Sequence, residues 1–260
     1  MREALLQHFH PEERPFARKI ADMAERAAER HEVRRTDFLD PRQAFITESI
    51  VRRHPDLQIR MDGGYARAER KRALIAPDYI DLEQEGAGVS LIAITSEDVG
   101  IADLDHGDYL GAILGLGLKR EKIGDLHVSE NGCHCLVAEE LAHYIHTHLQ
   151  KVHRVHVQTE ILPLEDLRPE TPKTENMSFT AASLRLDGIV GSVWRLSRAR
   201  ALEPIRAGRC RVNWKPEEDP ARLLKEGDTV SLKGYGRFVV RSVEGETRKG
   251  RIRVSVDKYV

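Results

Sequence analysis

Apolar residues in the first part of the chain follow a helical period and then an alternating one. A segment rich in Ala, Glu and Arg carries apolar side chains at helical spacing between residues 11 and 30: Phe16, Ile20, Met23 and Ala27. This spacing predicts an amphipathic helix. A second helix is predicted from Asp40, which can cap free amides, and Pro41, which fits a first helical turn. The alternating LQIRM and the turn signal DGG then predict a short β-hairpin.

The middle of the chain alternates between strand and helix patterns. KRALIAPD leads in as a strand, and the segments after it predict the order strand, helix, strand, strand, helix, strand: VSLIAITS, DYLGAILGLGL, DLHVS, CHCLVA, AEELAHYIHTHL and HRVHVQTEIL. Asn131-Gly132, between the two middle strands, is a hairpin signal. This βαββαβ order is the plan of ferredoxin-like domains, which RNA-recognition folds share. VSLIAITS and DLHVS carry no aromatic side chain for stacking bases, so the plan alone does not predict RNA binding.

The polar segment LRPETPKTENMS, which contains two prolines, predicts a linker before the last part of the chain. Beyond it, Ser183 can cap a helix with an apolar stripe, and Ser197 can cap a second helix that ends at Gly208. RCRVNW predicts a strand, and DTVSLKGYGRFVVRSVEG predicts a pair of strands. The expected fold class is therefore α+β, in four parts: a small helical unit with a hairpin at residues 1–75, a ferredoxin-like candidate RNA-binding domain at 76–166, a linker at 167–181, and a domain of two helices and a small β-sheet at 182–260.

Composition restricts the class of protein. A chain of 260 residues with 40% hydrophobic content is long enough for two or three packed domains. No apolar run approaches the length of a membrane span, and the N-terminal stretch lacks the apolar segment of a signal peptide. Three cysteines do not suggest a disulfide framework. We therefore expect a cytoplasmic protein that does not interact with a membrane.

Charge is distributed unevenly along the chain. Residues 182–260 contain 18 Lys and Arg against 10 Asp and Glu, a formal net charge of +8, whereas residues 1–181 carry −9. Five arginines fall within residues 196–214 alone. This asymmetry is typical of a polyanion-binding module attached to an acidic remainder, and a merely solvated basic surface is the alternative.

Five short motifs in the C-terminal part resemble the S-four RNA-binding domain, named for a ribosomal protein of the small subunit. In chain order they are Arg185-Leu186-Asp187, Ser197-Arg198, Ile205 with Gly208, Val212-Asn213 and Gly227-Asp228. One departure is Pro204, which removes a backbone hydrogen bond from the second helix and leaves its length open. The first motif could also suggest the catalytic aspartate of a pseudouridine synthase, but its place in the pattern favours a structural role at a helix start.

The resemblance and the charge together predict an RNA-binding surface. A helix N-terminus offers free amides to a phosphate, and guanidinium groups bind phosphate through two parallel hydrogen bonds. The candidate contacts are Arg185, Ser197, Arg198, Arg200, Arg206, Arg209, Arg211, Lys215, Lys233 and Arg237. Two smaller basic clusters upstream could contact RNA or the ribosome, or could carry only solvated charge: Arg67, Arg70, Lys71, Arg72, Lys119, Arg120 and Lys122.

Three upstream stretches resemble the YlmH family: FLDPRQ at residues 38–43, DGGYARAERKRALIAPDY at 62–79 and LGLKREKIGD at 116–125. Asn213-Trp214 and the GYGRF of residues 234–238 resemble it too. The resemblance implies a bacterial, ribosome-associated RNA-binding protein without catalytic activity, with an association with cell division. It also implies that the C-terminal domain binds large-subunit ribosomal RNA. The expected role is in ribosome-associated quality control, on subunits obstructed by peptidyl-tRNA.

Other chemistry has weaker support in the sequence. Cys133 and Cys135 on one strand, with His143 and His146 on a helix, make four zinc ligands conceivable, but no CxxC spacing is present. The chain has no P-loop, no His-Ile-Gly-His-type motif and no glycine-rich turn for a methyl donor. We therefore expect no metal, cofactor or small-molecule substrate. Two alternatives stay open: an RNA-modifying enzyme that uses the central domain, and an adaptor protein in cell division.

Overall fold

A computed structural model describes residues 7–170, 173–246 and 250–259. The chain divides between residues 171 and 172 into two compact units, named the N-terminal unit and the C-terminal unit. Each combines helices with antiparallel sheets, which confirms the predicted α+β class. Within these described ranges, no helix is both long enough and apolar enough to span a membrane.

The described part of the N-terminal unit contains four α-helices, several short 3-10 helices and nine strands. The α-helices are α1 Arg14–Arg30, α2 Pro41–Val51, α3 His106–Gly115 and α4 Glu139–His148. The 3-10 helices cover Pro11–Glu13, Leu82–Gln84, Val99–Asp103, Arg120–Lys122 and Leu164–Asp166. The strands are β1 Arg34–Arg35, β2 Leu57–Asp62, β3 Arg72–Pro77, β4 Val89–Thr95, β5 Ile123–Ser129, β6 Gly132–Ala138, β7 Lys151–Val152, β8 Val155–His156 and β9 Gln158–Leu162.

Helices α1 and α2 pack on a three-stranded sheet with the strand order β1-β3-β2. Ile20 and Ala27, on the apolar stripe of α1, are both buried. Asp40 caps α2 because its carboxylate accepts from the amide of Gln43, whose side chain accepts from the Asp40 amide in return. Both predicted helices and the predicted hairpin, β2 with β3, are confirmed.

A four-stranded antiparallel sheet with the order β5-β6-β4-β9 forms the middle of this unit, and α3 and α4 share its core. The elements follow the predicted βαββαβ order, with a small extra hairpin, β7 with β8, before the last strand. The first residue of β6, directly after the turn from β5, must be glycine. Gly132 has a φ of +133°, and a Cβ there would lie 2.0 Å from the carbonyl oxygen of Ile94.

The predicted boundary between residues 75 and 76 falls inside β3. All six residues of β3, Arg72–Pro77, are buried, and the strand pairs with both β1 and β2. Contacts also join the two predicted domains, since the Phe38 amide donates to the carbonyl of Glu121 at 2.8 Å, and the Tyr65 hydroxyl donates to Asp125 at 2.9 Å. The helical part and the ferredoxin-like part therefore form one compact unit.

The C-terminal unit is a six-stranded sheet covered on one face by two helices. The helices are α5 Leu186–Val193 and α6 Arg198–Arg206. The strands are β10 Thr174–Ala181, β11 Cys210–Val212, β12 Lys215–Pro216, β13 Thr229–Leu232, β14 Gly236–Glu246 and β15 Ile252–Tyr259, in the order β10-β15-β14-β13-β11-β12. The core joins apolar side chains of both helices to alternate positions of the strands: Leu186, Ile189, Val190, Val193, Ala201 and Ile205 with Val212, Val230, Leu232, Phe238, Val254 and Val256.

Part of the predicted linker is a strand. β10 pairs with β15 along its whole length, from Thr174 opposite Tyr259 to Ala181 opposite Ile252. The prediction of a linker over residues 167–181 therefore does not hold for residues 174–181, because pairing with a strand distant in sequence orders a segment that is locally polar.

Helix α5 begins later than the predicted cap at Ser183. Its first residue is Leu186, and Arg185 occupies the cap position without a side-chain cap. The first two amides of the helix donate to the carbonyls of Arg222 and Pro220, at 2.8 and 3.1 Å. Main-chain carbonyls of a neighbouring loop, rather than a serine hydroxyl, satisfy this helix start.

Candidate nucleic-acid interface

Helix α6 presents arginines from a capped N-terminus. The Ser197 hydroxyl accepts from the amide of Arg200 at 3.3 Å, as the sequence predicts. Pro204 lies within the helix, which nevertheless continues to Arg206. The chain then turns at Gly208, whose φ of +66° favours glycine. The side chains of Arg200 and Arg206 are exposed on this helix.

A buried carboxylate connects the starts of α5 and α6. Asp187 is 2% exposed and accepts from the guanidinium of Arg185 at 3.0 and 3.1 Å and from that of Arg198 at 3.4 Å. Burial alone would raise the pKa of Asp187, but the hydrogen bonds and charge of Arg185, together with the charge of Arg198, hold it below its ordinary value. These contacts support the structural interpretation of the Arg185-Leu186-Asp187 motif, which contacts the Ser197-Arg198 motif directly.

We expect Asp187→Asn to destabilise the C-terminal unit by about 1–3 kcal/mol at neutral pH, because the charge-assisted hydrogen bonds from two guanidinium groups, those of Arg185 and Arg198, weaken. The folded-state pKa of Asp187 is lowered, so its stabilising contribution is present above the unfolded-state value of about 4. That contribution disappears as the pH falls through the folded-state value. The stability difference between wild type and variant should therefore shrink in acid. Urea unfolding at several pH values, followed by tryptophan fluorescence, measures this unit alone, since both tryptophans, Trp194 and Trp214, lie in it.

Glu203→Gln provides the matched control for this experiment. The Glu203 side chain is 77% exposed and pairs with Arg209 at 3.0 Å. An exposed ion pair contributes about 1 kcal/mol or less, so the control should unfold like the wild type. An Asp187→Asn protein as stable as the wild type at neutral pH would contradict a structural role for the buried carboxylate.

Beyond α6 the basic side chains continue onto the first strand of the sheet. Arg209 is exposed directly after the turn at Gly208, and Arg211 is exposed on β11 between the buried residues Cys210 and Val212. The Arg211 guanidinium donates to the main-chain carbonyl of Trp214 at 3.3 Å. Arg211 therefore points away from the core, on the face of the sheet that the helices leave open.

Arg237 lies beside two aromatic rings that the predicted site did not include. Its guanidinium carbon is 4.4 Å from the centroid of the Tyr259 ring and 6.0 Å from that of Trp214. The sequence resemblance drew attention to Trp214 without giving it a role. Tyr259 reaches Arg237 only through the pairing of β14 with β15, which no local signal reveals. Lys215 and Lys233, the other predicted contacts, are both exposed.

The last two motifs of the S-four pattern also contact each other. β11 ends at Val212, so Asn213 and Trp214 form a two-residue turn instead of continuing the predicted strand. Their φ angles are +51° and +62°. The side-chain amide of Asn213 donates to the carboxylate of Asp228 at 2.8 Å. The motif positions thus hold the turn against the start of β13.

Several basic residues predicted as upstream contacts are used inside the N-terminal unit. Arg72 is buried, and its guanidinium donates to the carbonyl of Thr36 at 2.8 Å and lies 3.5 Å from Glu140. Lys122 pairs with Asp37 at 2.8 Å and with Glu140 at 2.7 Å. These side chains stabilise the fold, and we leave them out of the candidate RNA-binding surface.

Arg70 and Arg120 have a similar internal role. Arg70 donates to the carbonyls of Phe38 and Ile123, at 3.0 Å each, and Arg120 donates to the Ile123 carbonyl as well. Burial, with a smaller contribution from the neighbouring charge of Arg70, lowers the pKa of Arg120 to about 10. Both guanidinium groups therefore hold main-chain segments together rather than face a ligand.

Three basic residues of the upstream clusters keep surface positions. Arg67 and Lys119 are exposed, and Lys71 is half-buried. A run of charged residues in a sequence does not show which of them are buried. The sequence therefore could not distinguish these three residues from the basic residues of the same clusters that have internal roles. The candidate contacts of the N-terminal unit are restricted to Arg67, Lys71 and Lys119.

The residues considered as zinc ligands do not converge. Cys133 and Cys135 lie in the core of the central sheet, where burial raises the pKa of both thiols, to about 12 for Cys135. His143 and His146 are exposed on α4. Over residues 7–170, 173–246 and 250–259, no group of three His, Cys, Asp or Glu side chains is placed to hold a metal ion.

Comparison with known proteins gives matches along most of the chain. The family model described as "YlmH, N-terminal" matches residues 12–80, and the model described as "Putative RNA-binding domain in YlmH" matches residues 83–166. The "Ribosome-associated protein quality control protein P2" of Bacillus subtilis (strain 168) is 35% identical over 254 residues, 98% of either chain. The solved structure of "Cell division protein ylmH from Streptococcus pneumoniae" aligns with a TM-score of 0.55 at 24% identity, covering 61% of this chain and 96% of that chain. This last match supports the fold alone.

Proposed function

The chain belongs to the YlmH family, and from this premise we propose that it is a non-enzymatic RNA-binding factor of the bacterial cytoplasm. In this proposal it docks on ribosomal RNA of the large subunit. There it acts on obstructed subunits that carry peptidyl-tRNA, in ribosome-associated quality control. The name of the Bacillus subtilis relative, which matches nearly the whole chain, supports this role.

The observation that carries the proposal is the basic surface of the C-terminal unit. Residues 182–260 have a formal net charge of +8. Exposed arginines extend from α6 past the turn at Gly208 onto β11: Arg198, Arg200, Arg206, Arg209 and Arg211. Guanidinium groups suit phosphate recognition because they donate two parallel hydrogen bonds and stay charged. Such a surface favours a nucleic acid as the partner of this unit. We also propose that this unit is an S-four-type domain, since four of its five motifs meet in two contacting pairs, Arg185-Leu186-Asp187 with Ser197-Arg198 and Val212-Asn213 with Gly227-Asp228.

The N-terminal unit has a smaller share in the proposal. The family model that is named for an RNA-binding domain matches residues 83–166, and Lys119 lies within that range. Arg67 and Lys71 are the other candidate contacts. Residues 1–181 carry a net charge of −9, which repels RNA, so we propose that the rest of this unit faces away from RNA or contacts protein.

Ultraviolet crosslinking of the full chain to purified large ribosomal subunits tests the proposal. We expect the crosslinked peptides, identified by mass spectrometry, to come mainly from residues 197–237 and the crosslinked nucleotides to belong to large-subunit RNA. Subunits that carry peptidyl-tRNA should retain more protein than empty subunits. Crosslinks confined to residues 7–170, or sedimentation with small subunits alone, would contradict the proposal.

A further inference from the structure

The open face of the C-terminal sheet, opposite α5 and α6, carries a row of polar and aromatic side chains. Across neighbouring strands, Arg211 lies opposite Ser231, and Ser231 lies opposite Arg237. β14 pairs with β15 from Phe238 opposite Lys258, and the contact between the Arg237 guanidinium and the Tyr259 ring lies one residue further along the same register. The row therefore crosses four adjacent strands, β11, β13, β14 and β15.

Two aromatic rings flank the guanidinium group in this row. Arg237 lies 4.4 Å from the ring centroid of Tyr259 and 6.0 Å from that of Trp214, distances at which a cation interacts with the face of a ring. Both aromatic residues are half-buried, and neither belongs to the buried core of the unit. Each ring therefore keeps part of its surface available to a ligand.

Trp214 occupies a backbone position that favours glycine. It is the second residue of the turn between β11 and β12, with a φ of +62°, after Asn213 with a φ of +51°. Two-residue turns of this kind favour Asn-Gly, because a bulky side chain enters the left-handed region only at a cost in free energy. Turn geometry opposes a tryptophan and core packing does not require one. This outlier indicates a function for the ring at the surface.

We propose that this face of the sheet binds single-stranded RNA by stacking an unpaired base on Trp214, while Arg211 and Arg237 contact the adjacent phosphates. Only an unpaired base exposes the face of its ring, and aromatic side chains bind that face with little preference for sequence. The net charge of +8 on residues 182–260 favours a polyanion over a neutral protein partner. The inference rests on the proposed function and specifies that the RNA bound by this face is single-stranded.

Trp214→Gly separates binding from folding, because glycine removes the ring and is favoured by the backbone at this position. We expect the variant to melt at the wild-type temperature or above. It should bind an oligouridine of about 12 nucleotides roughly 5- to 100-fold more weakly. Its affinity for an RNA duplex of the same length should be unchanged. Trp214→Phe, which keeps an aromatic ring, should recover part of the affinity; fluorescence anisotropy of labelled RNA measures all three proteins.

Equal binding of oligouridine by Trp214→Gly and wild type would overturn the inference. An equal loss for oligouridine and duplex would overturn it as well, since it would mean contact with the backbone rather than with a base. A variant with Arg200→Glu and Arg206→Glu, assayed in parallel, should weaken binding to both RNAs. If it does so while Trp214→Gly has no effect, the inference fails and the proposed function stands. If the wild type binds neither RNA, both fail.

Discussion

The double variant Arg200→Glu, Arg206→Glu is expected to bind large ribosomal subunits on the order of 100-fold more weakly than the wild type at about 0.1 M salt. Both side chains are exposed on α6, and among the residues that the structure describes neither makes an ion pair. Each substitution removes one phosphate contact and adds a repulsive negative charge. Together with the loss of counterion release, this should weaken binding roughly tenfold per substitution. The slope of log affinity against log salt should fall by about 2. Sedimentation of the protein with subunits over a salt series measures both quantities.

Arg52→Glu with Arg53→Glu is the matched control, because it makes the same change in net charge in the other unit. Both arginines are exposed at the end of α2, and Arg52 makes only a surface pair with Glu48 at 3.5 Å. The control should keep the wild-type affinity within about twofold. Equal retention of the Arg200→Glu, Arg206→Glu variant and the wild type would exclude α6 from the interface.

Arg198 is left out of this test although its side chain is 71% exposed. Its guanidinium lies 3.4 Å from the buried carboxylate of Asp187, so a glutamate there would place two carboxylates together. A loss of binding by an Arg198 variant would therefore mix unfolding with a lost contact. Arg200 and Arg206 do not have this ambiguity.

The elements that the sequence predicted correctly are those whose signals are local. Residues 14–30 carry a helical stripe, and Asp40 with Gln43 forms a reciprocal cap three residues apart. Asn131-Gly132 signals the hairpin between β5 and β6, in which Glu130 and Asn131 form the turn and glycine alone fits the first position of β6. In each case a few consecutive residues contain the whole physical cause.

The elements that the sequence predicted incorrectly depend on distant partners. Residues 174–181 alternate between inward side chains, such as Phe179, and outward ones, such as Ser178, but their polarity obscured the pattern until pairing with β15 was known. The sequence predicts a strand through Asn213-Trp214, since the residue after asparagine is not the glycine expected of a two-residue turn, but the structure places a turn there. The position of Tyr259 beside Arg237 likewise depends on the pairing of distant strands, as the ordering of β10 does.

Burial of charge is the third property that the sequence did not reveal. The basic residues within positions 67–72 look equivalent in the sequence, yet Arg67 is exposed and Arg72 is buried, with only 6% of its surface accessible. The strand that holds Arg72 is buried at all six positions, so a guanidinium there must find partners inside the protein. Two arginines from one cluster are therefore expected to respond in opposite ways to the same substitution.

We expect Arg72→Met to destabilise the N-terminal unit by about 2–4 kcal/mol. The methionine has a similar length but cannot donate to the buried carbonyl of Thr36, to the carbonyl of Gly88 or to Glu140. Loss of charge-assisted donors to buried acceptors is costly because no water replaces them. Hydrogen exchange followed by mass spectrometry measures the effect at the amides of β3 and β4, and the RNA affinity of the folded fraction should not change.

Arg67→Met makes the same chemical change five residues earlier on an exposed side chain. We expect it to alter the stability of the unit by no more than about 0.5 kcal/mol. If Arg67 contacts a phosphate, the substitution should reduce the salt slope of RNA binding by about 1. Faster exchange in the Arg67 variant than in the Arg72 variant would contradict the assignment of structural and surface roles. An unchanged salt slope for Arg67→Met, with Arg72→Met destabilised as expected, would instead confine RNA contacts in this cluster to Lys71 and make the C-terminal unit the principal source of affinity.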